Sequence, residues 1–307
     1  MPPRRPLPGP TPVAVPAPLR ETAFTLATAR AHGISAGHLR GRHYIRIHRC
    51  VYAERDVPLD GDQAARAWML ALPDDAAMYG ATAATWYSLP VEAPADFQII
   101  VPSGTVPRRR PGLEPHEGLR QDEAITYRGL RVTTPERTWL DLSLTLDDAE
   151  LITVGDAMVH RGLTTPQRLI EGADAARRRR RILRARSLAR LVRDRVDSPQ
   201  ETRLRLILTS HGGLPEPTVN PEVADEHGEW IGRPDLAYED ARVAIQYEGD
   251  VHRTSKKRWR ADIARDEVLR DHGWEVLRVT ADDFRRHDRL CDRVRSALDR
   301  RRHRSPP

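Results

Sequence analysis

Two acid-bearing stretches carry the clearest chemistry, Arg233-Pro234-Asp235 and Gln246-Tyr247-Glu248-Gly249-Asp250-Val251-His252. Asp235 and Glu248 sit among apolar strand-forming residues, Leu236, Val243, Ala244 and Ile245. A carboxylate there is costly unless it is paired or bound to a cation. If Asp240-Ala241 makes a two-residue turn, Asp235 falls opposite Gln246, and Glu248 lies diagonally on the same face. Converging carboxylate oxygens suit a hard cation such as magnesium or manganese. Glu201, upstream, can supply a further ligand, so the candidate metal set is Glu201, Asp235 and Glu248. A metal held there would polarise a phosphodiester and activate water. His252 is a candidate general base or phosphate contact. The competing reading makes Asp235 and Glu248 ion-pair partners of Arg233 or Arg278, and His252 a surface side chain.

The elements that would position these groups follow from the pattern. Ser198 with Glu201 forms a capping box before the apolar positions Leu204, Ile207 and Leu208, and Gly212-Gly213 ends that helix. Strands are expected over 218–223, 230–238 and 242–248, then a helix over 257–271, a strand over 274–280 and a helix over 281–301. The order is α-β-β-β-α-β-α. Upstream, a helix over 21–32 is stopped by Gly33, and Ser35 caps a short helix over 36–42 with Leu39 inward. A strand over 44–52 carries basic residues on one face. Helix, turn, helix and basic strand outline a small winged helix-turn-helix. Between the two ends, helices are expected over 63–72, 81–88, 147–161 and 165–173, a strand over 97–101, and a hairpin around Arg128-Gly129. Thr134-Pro135 opens another helix on which Arg137 and Asp141, four apart, pair.

The chain has 307 residues, 39% hydrophobic, 31% charged and 5% aromatic, enough apolar material for modest cores in two or three domains. It holds no apolar run long enough to span a membrane. Met1–Arg20 contains eight prolines, reads as an extended leader, and is not patterned as a secretory signal. Cys50 and Cys291 are the only cysteines, too few for a disulfide scaffold, and a reducing cytoplasm is expected. The net charge is +6, yet the stretch from Arg177 to Arg195 alone holds ten arginines against Asp194, a balance of +9 that leaves −3 for the remainder. So local a charge is either a phosphate-binding patch, with Arg177, Arg178, Arg179, Arg180 and Arg181 as contacts, or a solvated helix face.

SPQETRLRLIL, GRPDLAYEDARVAIQYEGDVHR and RDEVLRDHGWEVLRVT resemble domain-of-unknown-function family 559, which is similar to very short patch repair endonucleases in the PD-(D/E)XK superfamily. The resemblance covers about a third of the chain. It implies a restriction-endonuclease-like sheet flanked by helices, with acidic positions on Glu201, Asp235 and Glu248 and a trailing motif on Asp250 and His252. Asp235, Gln246, Glu248 and His252 are then the catalytic candidates. Relatives carry glutamate where this chain has Gln246, and many superfamily nucleases hold lysine where it has Glu248.

TAFTLATARAHGISAGHLR, YIRIHRCVYA and VTTPERTWLDL resemble the type IV abortive-infection antitoxin family, with Cys50 where glycine is usual. That resemblance implies DNA binding through Ser35, His38, Arg40 and Arg42.

The expected architecture is α/β, α+β overall. It has a leader over 1–20, a winged-helix-like module over 21–60, a mixed middle domain over 61–196 that ends in the arginine-rich helix, a restriction-endonuclease-like αβββαβ domain over 197–301, and a tail over 302–307. The function expected is DNA binding with metal-dependent phosphodiester hydrolysis. The alternative is a DNA-binding regulator or antitoxin whose nuclease fold is inactive. Expected partners are DNA and either a second copy of the chain or a toxin, with no membrane.

Overall fold

The computed structural model describes residues 15–58, 60–104, 109–177, 179–249 and 266–302. Residues 1–14 of the leader, Arg178, Asp250, His252, the part of the expected helix over 257–265 and residues 303–307 of the tail lie outside the described residues; the end of the leader is not extended but makes a 3-10 turn at Ala17–Leu19, with Val15 and Leu19 buried against Phe24. The fold is mixed α and β, as the pattern implies, and it divides into two compact units: Met1–Tyr87 with Glu92–Thr134, and Ser88–Val91 with Pro135–Pro307.

The first unit begins with β1 (Phe24–Thr25), α1 (Leu26–Ala31), a 3-10 turn at His38–Arg40, β2 (Tyr44–His48) and β3 (Val51–Glu54). These strands form an antiparallel sheet in the order β1-β3-β2. The expected helix over 21–32 starts late because Phe24 and Thr25 pair with Tyr52 and Val51; Thr25 then caps α1 by accepting from the Thr28 N–H. The expected strand over 44–52 is a hairpin instead, because Cys50 adopts a left-handed turn conformation (φ 61°) between β2 and β3. The expected helix over 36–42 shrinks to the 3-10 turn.

The unit continues with α2 (Gly61–Leu70), β4 (Ala77–Met78), α3 (Gly80–Trp86), β5 (Phe97–Val101), β6 (Leu113–Glu117), β7 (Ala124–Tyr127) and β8 (Leu130–Thr133). They build a five-stranded mixed sheet in the order β6-β5-β4-β8-β7. The β7–β8 hairpin turns at Arg128-Gly129, both with positive φ (50° and 79°), the backbone a two-residue hairpin of this hand demands.

The second unit opens with α4 (Pro135–Leu142), α5 (Asp148–His160), α6 (Pro166–Ala175) and α7 (Ile182–Ala189). The Arg137 Nε donates to both Asp141 oxygens, at 2.9 and 2.8 Å, inside this bundle. Next come α8 (Pro199–Leu206), prolonged by a π-helical turn at Ile207–His211, then β9 (Thr218–Val219), β10 (Val223–Ala224), β11 (Trp230–Gly232), β12 (Leu236–Tyr238), β13 (Val243–Glu248), a helical stretch over 266–271, β14 (Glu275–Thr280) and α9 (His287–Arg302). The sheet order is β14-β13-β12-β9: β9, β12 and β13 run antiparallel in turn, and β14 lies parallel to β13.

Two expected strands break where proline removes a ladder donor. At Asn220-Pro221, 218–223 splits into β9 and β10; at Arg233-Pro234-Asp235, 230–238 splits into β11 and β12. The β10–β11 pair forms its own two-stranded ribbon. The last expected helix starts six residues late, after a 3-10 turn at Asp283–Arg285 whose Asp283 carboxylate accepts from the Thr280 N–H. Val243, Ile245, Leu236 and Tyr238 point into a core with Leu204, Leu208, Leu290 and Val294. Ala237 and Ala244 face the other side, against Val223, Ile231, Leu269 and Trp274.

Candidate functional site

Three clusters hold the residues singled out from the sequence. The acidic one is set by the turn between β12 and β13. Tyr238 pairs with Val243 and Leu236 with Ile245, so the loop is the four residues 239–242, with Arg242 left-handed (φ 50°), in place of the expected two-residue turn; the register is the same, and one further step of it places Asp235 opposite Gln246. The Tyr247 N–H donates to Asp235 Oδ2 at 2.6 Å. Asp235 is half-buried. Burial pushes its carboxyl up to about 7; the Tyr247 N–H opposes that shift, and the nearby Glu201 and Asp197 carboxylates add to it.

Glu201, 6% exposed, has both oxygens engaged. Oε1 accepts from Ser198 Oγ at 2.8 Å; Oε2 accepts from the Asp197 N–H at 2.9 Å and from Asn220 Nδ2 at 2.6 Å. Asn220 is the organiser that sequence reasoning missed. Its side chain also donates to the Arg195 carbonyl at 2.8 Å, and its backbone N–H donates to the Asp235 carbonyl at 2.9 Å. The available signal was the Asn-Pro dipeptide, which marks a turn with special backbone geometry; Asn220 has φ 44°.

Glu248 turns away from this group. Its Oε1 accepts from Arg278 Nη1 at 3.3 Å, and the Arg278 Nε donates at 2.7 Å to Asp266, itself 3% exposed. The ion-pair alternative for Glu248 with Arg278 is therefore present, and Arg233 pairs with Asp197 at 2.6 Å and Glu222 at 3.4 Å. Among the described residues no group of three or more histidine, cysteine, aspartate or glutamate side chains is arranged to hold a metal ion, so Glu201, Asp235 and Glu248 do not converge. The donor set also fits magnesium poorly as arranged: both Glu201 oxygens already accept from protein N–H and O–H donors, and one Glu248 oxygen accepts from the Arg278 guanidinium.

The second cluster is the arginine-rich stretch. Among its described residues, Arg177, Arg180, Arg181, Arg190 and Arg195 are exposed, and several of the others are tied into the fold. Arg184 donates to Asp148 at 2.6 Å and to the Ser143 and Leu146 carbonyls at 2.7 and 3.0 Å, closing the chain end of α4. Arg186 donates to the carbonyls of Ala173, Asp174 and Ala176 around the end of α6, each at 3.1 Å. Helix C-termini leave such carbonyls without intrahelical donors, and cations are favoured there. Arg179 reaches Asp141 at 3.3 Å, Arg181 the Leu144 carbonyl at 3.3 Å, Arg190 Asp174 at 3.1 Å and Arg193 Glu216 at 3.1 Å. Arg177 and Arg180 are exposed. Nearby, Arg205 is 0% exposed, paired with Asp156 at 3.3 Å and Glu216 at 2.9 Å. Burial pushes the Asp156 carboxyl up, against the pull of Arg205.

The third cluster is the β1–β3 module. Ser35 Oγ accepts from the His38 N–H at 3.3 Å and lies 3.0 Å from His38 Nδ1, capping the short turn. Ser35, His38, Arg40 and Arg42 are all exposed, as are Arg46 and Arg49 on the β2–β3 hairpin. The six lie within one small module, four on the turn and its flanks and two on the hairpin.

Residues 76–191 match the AbiEi antitoxin C-terminal domain, a span that takes in VTTPERTWLDL. The chain is also similar to uncharacterized proteins from two strains of Mycobacterium tuberculosis. Each is 30% identical over 225 residues, covering 72% of this chain and 80% of the relative. No helix among the described residues is long and apolar enough to cross a membrane.

Proposed function

Because the chain belongs to one family with these two mycobacterial proteins and matches the AbiEi antitoxin C-terminal domain over 76–191, we propose that it is a DNA-binding regulator of the antitoxin type. The domain match carries this reading. The β1-β3-β2 module supports it, with a capped turn and a hairpin that present Arg40, Arg42, Arg46 and Arg49 to solvent. Exposed guanidiniums on a small rigid module suit phosphate contact, which fixes register on a duplex, while base edges read by neighbouring side chains give specificity. The partners are duplex DNA and the toxin that the antitoxin counters.

The test is fluorescence anisotropy of the full chain on duplex DNA from upstream of its own gene. Binding should weaken steeply with salt, and Arg40→Ala with Arg42→Ala should flatten the log–log slope by about 0.9 for each phosphate no longer neutralised. No binding at low salt sinks the reading.

A second reading, a metal-dependent endonuclease, has one observation in its favour. A sheet of β9, β12, β13 and β14 with α8 and α9 beside it, and Asp235 in register with Gln246, is compatible with the helix-flanked sheet of the nuclease resemblance. In that reading Asp235, Gln246, Glu248 and His252 are the reacting edge and Mg or Mn the cofactor. Gln246 lacks the charge, and Glu248 is held by Arg278, so the antitoxin reading is preferred, with this sheet serving as a scaffold. Nicking of supercoiled DNA by the purified chain with Mg or Mn, abolished in Asp235→Ala, would reverse the preference.

A further inference from the structure

The two larger sheets treat their edges differently. In the four-stranded sheet β9 is two residues long, and the outer side of β14 is answered by the chain's own side chains: Asp283 accepts from the Thr280 N–H at 2.9 Å, and Arg293 donates to the Arg278 carbonyl at 2.8 Å. In the five-stranded sheet the outer strand β6 (Leu113–Glu117) carries Pro115, which has no N–H, between Glu114 and His116. Short strands, prolines and charges are devices that keep a free edge from pairing with another chain. The opposite edge of that sheet, β7, has no proline and no charge: its residues are Ala124, Ile125, Thr126 and Tyr127.

The hydrogen-bond pattern fixes which groups of β7 face outward. Ile125 pairs with Val132 and Tyr127 with Leu130, and beyond them the Thr134 N–H donates to the Glu123 carbonyl at 2.9 Å, so Glu123, Ile125 and Tyr127 turn their backbone groups toward β8. In an antiparallel ladder the alternate residues turn theirs away. The N–H and C=O groups of Ala124 and Thr126 therefore lie along the outer edge, where they have no partner among the described residues. Ile125 sits between them, 40% exposed. The edge is held in shape from behind. The Trp86 indole N–H donates to the Tyr127 carbonyl at 3.0 Å, Arg66 donates to the Arg128 carbonyl at 3.5 Å, and the Arg128 guanidinium lies over the Trp86 ring, 4.6 Å from its centroid. An edge already rigid loses little conformational freedom on pairing.

We propose that β7 pairs antiparallel with β7 of a second copy of the chain, joining two five-stranded sheets across a two-fold axis at Ile125. The residues of the edge complement themselves in that register. With Ile125 opposite Ile125 of the second copy, Ala124 faces Thr126 and Thr126 faces Ala124, and each of these pairs exchanges both of its N–H···O bonds. The two isoleucines form the closer, non-hydrogen-bonded pair at the axis and cover each other. The same register sets Glu123 opposite Tyr127 and Asp122 opposite Arg128, each repeated by the symmetry. One flank of β7 is thus acidic and the other basic, and an antiparallel pair of copies brings unlike flanks together, where a parallel pair would oppose like ones. Both charges are within reach of solvent: Asp122 is 73% exposed and paired with the equally exposed Arg120 at 3.6 Å, and Arg128, 44% exposed, meets Asp62 through Nη2. The contact is a single short strand, well below the area of a permanent dimer, so the pair is weak, with a dissociation constant on the order of 100 µM. The pairing stands apart from the DNA-binding function proposed above.

Sedimentation velocity of the full chain from about 10 µM to about 1 mM reads the association without DNA. The weight-average sedimentation coefficient should climb with concentration from the monomer value toward that of a dimer. Ile125→Lys sets two ammonium groups at the axis and should keep the chain monomeric throughout, and Asp122→Asn should weaken the pairing about five-fold. Both side chains are exposed, and melting curves check that each variant is folded. Oxidative cross-linking reads the register, in a Cys50→Ser background that removes the exposed native thiol. Ile125→Cys puts two β-carbons face to face near disulfide reach and should give a covalent dimer; Thr126→Cys, opposite Ala124, should cross-link about ten-fold more slowly. A chain that sediments as a monomer at every concentration overturns the proposal, and the edge is then open to a strand of a different protein. A dimer that Ile125→Lys leaves intact places the interface elsewhere and overturns it as well. Equal cross-linking of Ile125→Cys and Thr126→Cys overturns the register.

Discussion

The arginine-rich stretch and the acidic strand edge are opposites in sequence and exchange roles in the fold. A run of ten arginines looks like the strongest electrostatic feature of the chain. Five of them meet carboxylates, Arg179 at Asp141, Arg184 at Asp148, Arg186 and Arg190 at Asp174 and Arg193 at Glu216, and Arg181, Arg184 and Arg186 also reach carbonyls near the ends of α4 and α6, while Arg177 and Arg180 stay exposed. The single Asp235 looks minor beside it, yet it keeps a carboxyl raised by burial, with carboxylates and not cations as its strongest charged neighbours. Charge density along a chain is therefore a poor guide to surface potential. What decides is whether each charge meets its counter-charge within a few ångströms once the helices pack.

The comparison is most exposed at Arg205. Its guanidinium bridges Asp156 and Glu216 from a fully buried position, so Arg205→Ala leaves Asp156 buried without its cation and should cost about 3–5 kcal/mol, read from urea unfolding. A loss below about 1 kcal/mol would mean that these charges are solvated rather than built in.

Asp235 gives the next largest effect. A carboxyl raised to about 7 in the fold and ordinary in the unfolded chain keeps its proton in the fold between about pH 4 and 7, so stability falls as pH rises through that window. Asp235→Asn removes this penalty and keeps an oxygen for the Tyr247 N–H. It should stabilise the protein by about 1–3 kcal/mol at pH 8 and by much less at pH 4. Equal effects at the two pH values would place the origin elsewhere.

Within the arginine stretch, neighbours should differ. Arg184→Ala removes one ion pair and two hydrogen bonds to carbonyls and should cost about 1–2 kcal/mol. Arg180→Ala, at an exposed position, should change stability by less than about 0.5 kcal/mol. Equal losses would restore the reading of a uniform face. The smallest effect concerns magnesium. With Glu248 held by Arg278 and Glu201 saturated, millimolar magnesium should shift the melting temperature of the wild-type chain by less than about 1 °C, whereas Gln246→Glu with Arg278→Ala should respond visibly.

Much of the local structure was legible because it rests on neighbours in sequence. Arg128-Gly129 requires a left-handed turn, Thr134-Pro135 starts a helix, and Arg137 reaches Asp141 one turn on. The register of β12 on β13 was legible too, although the loop that sets it spans 239–242 and turns at Arg242 rather than at Asp240-Ala241. What was not legible depends on distant partners. Phe24 and Thr25 leave the helical pattern because Val51 and Tyr52 offer a ladder. Glu248 leaves Asp235 because Arg278 and Asp266 arrive from another strand and helix. Asn220 shows nothing in sequence of the three segments it joins. Within the arginine stretch the sequence does not separate Arg184 and Arg186, which reach helix ends, from Arg177 and Arg180, which meet solvent, because packing alone decides between them.

That joining role has a kinetic side. Asn220 ties the Arg195 carbonyl before α8, the Glu201 carboxylate in its first turn and the Asp235 carbonyl at the head of β12, and it does so from a left-handed backbone that asparagine tolerates better than most residues. Bonds that bring together segments as far apart in the chain as Arg195 and Asp235 close late, since each loop must be shut before any bond rewards it. The amides of Asn220 and Tyr247 should accordingly gain protection from hydrogen exchange together and lose it together, as one cooperative unit of opening.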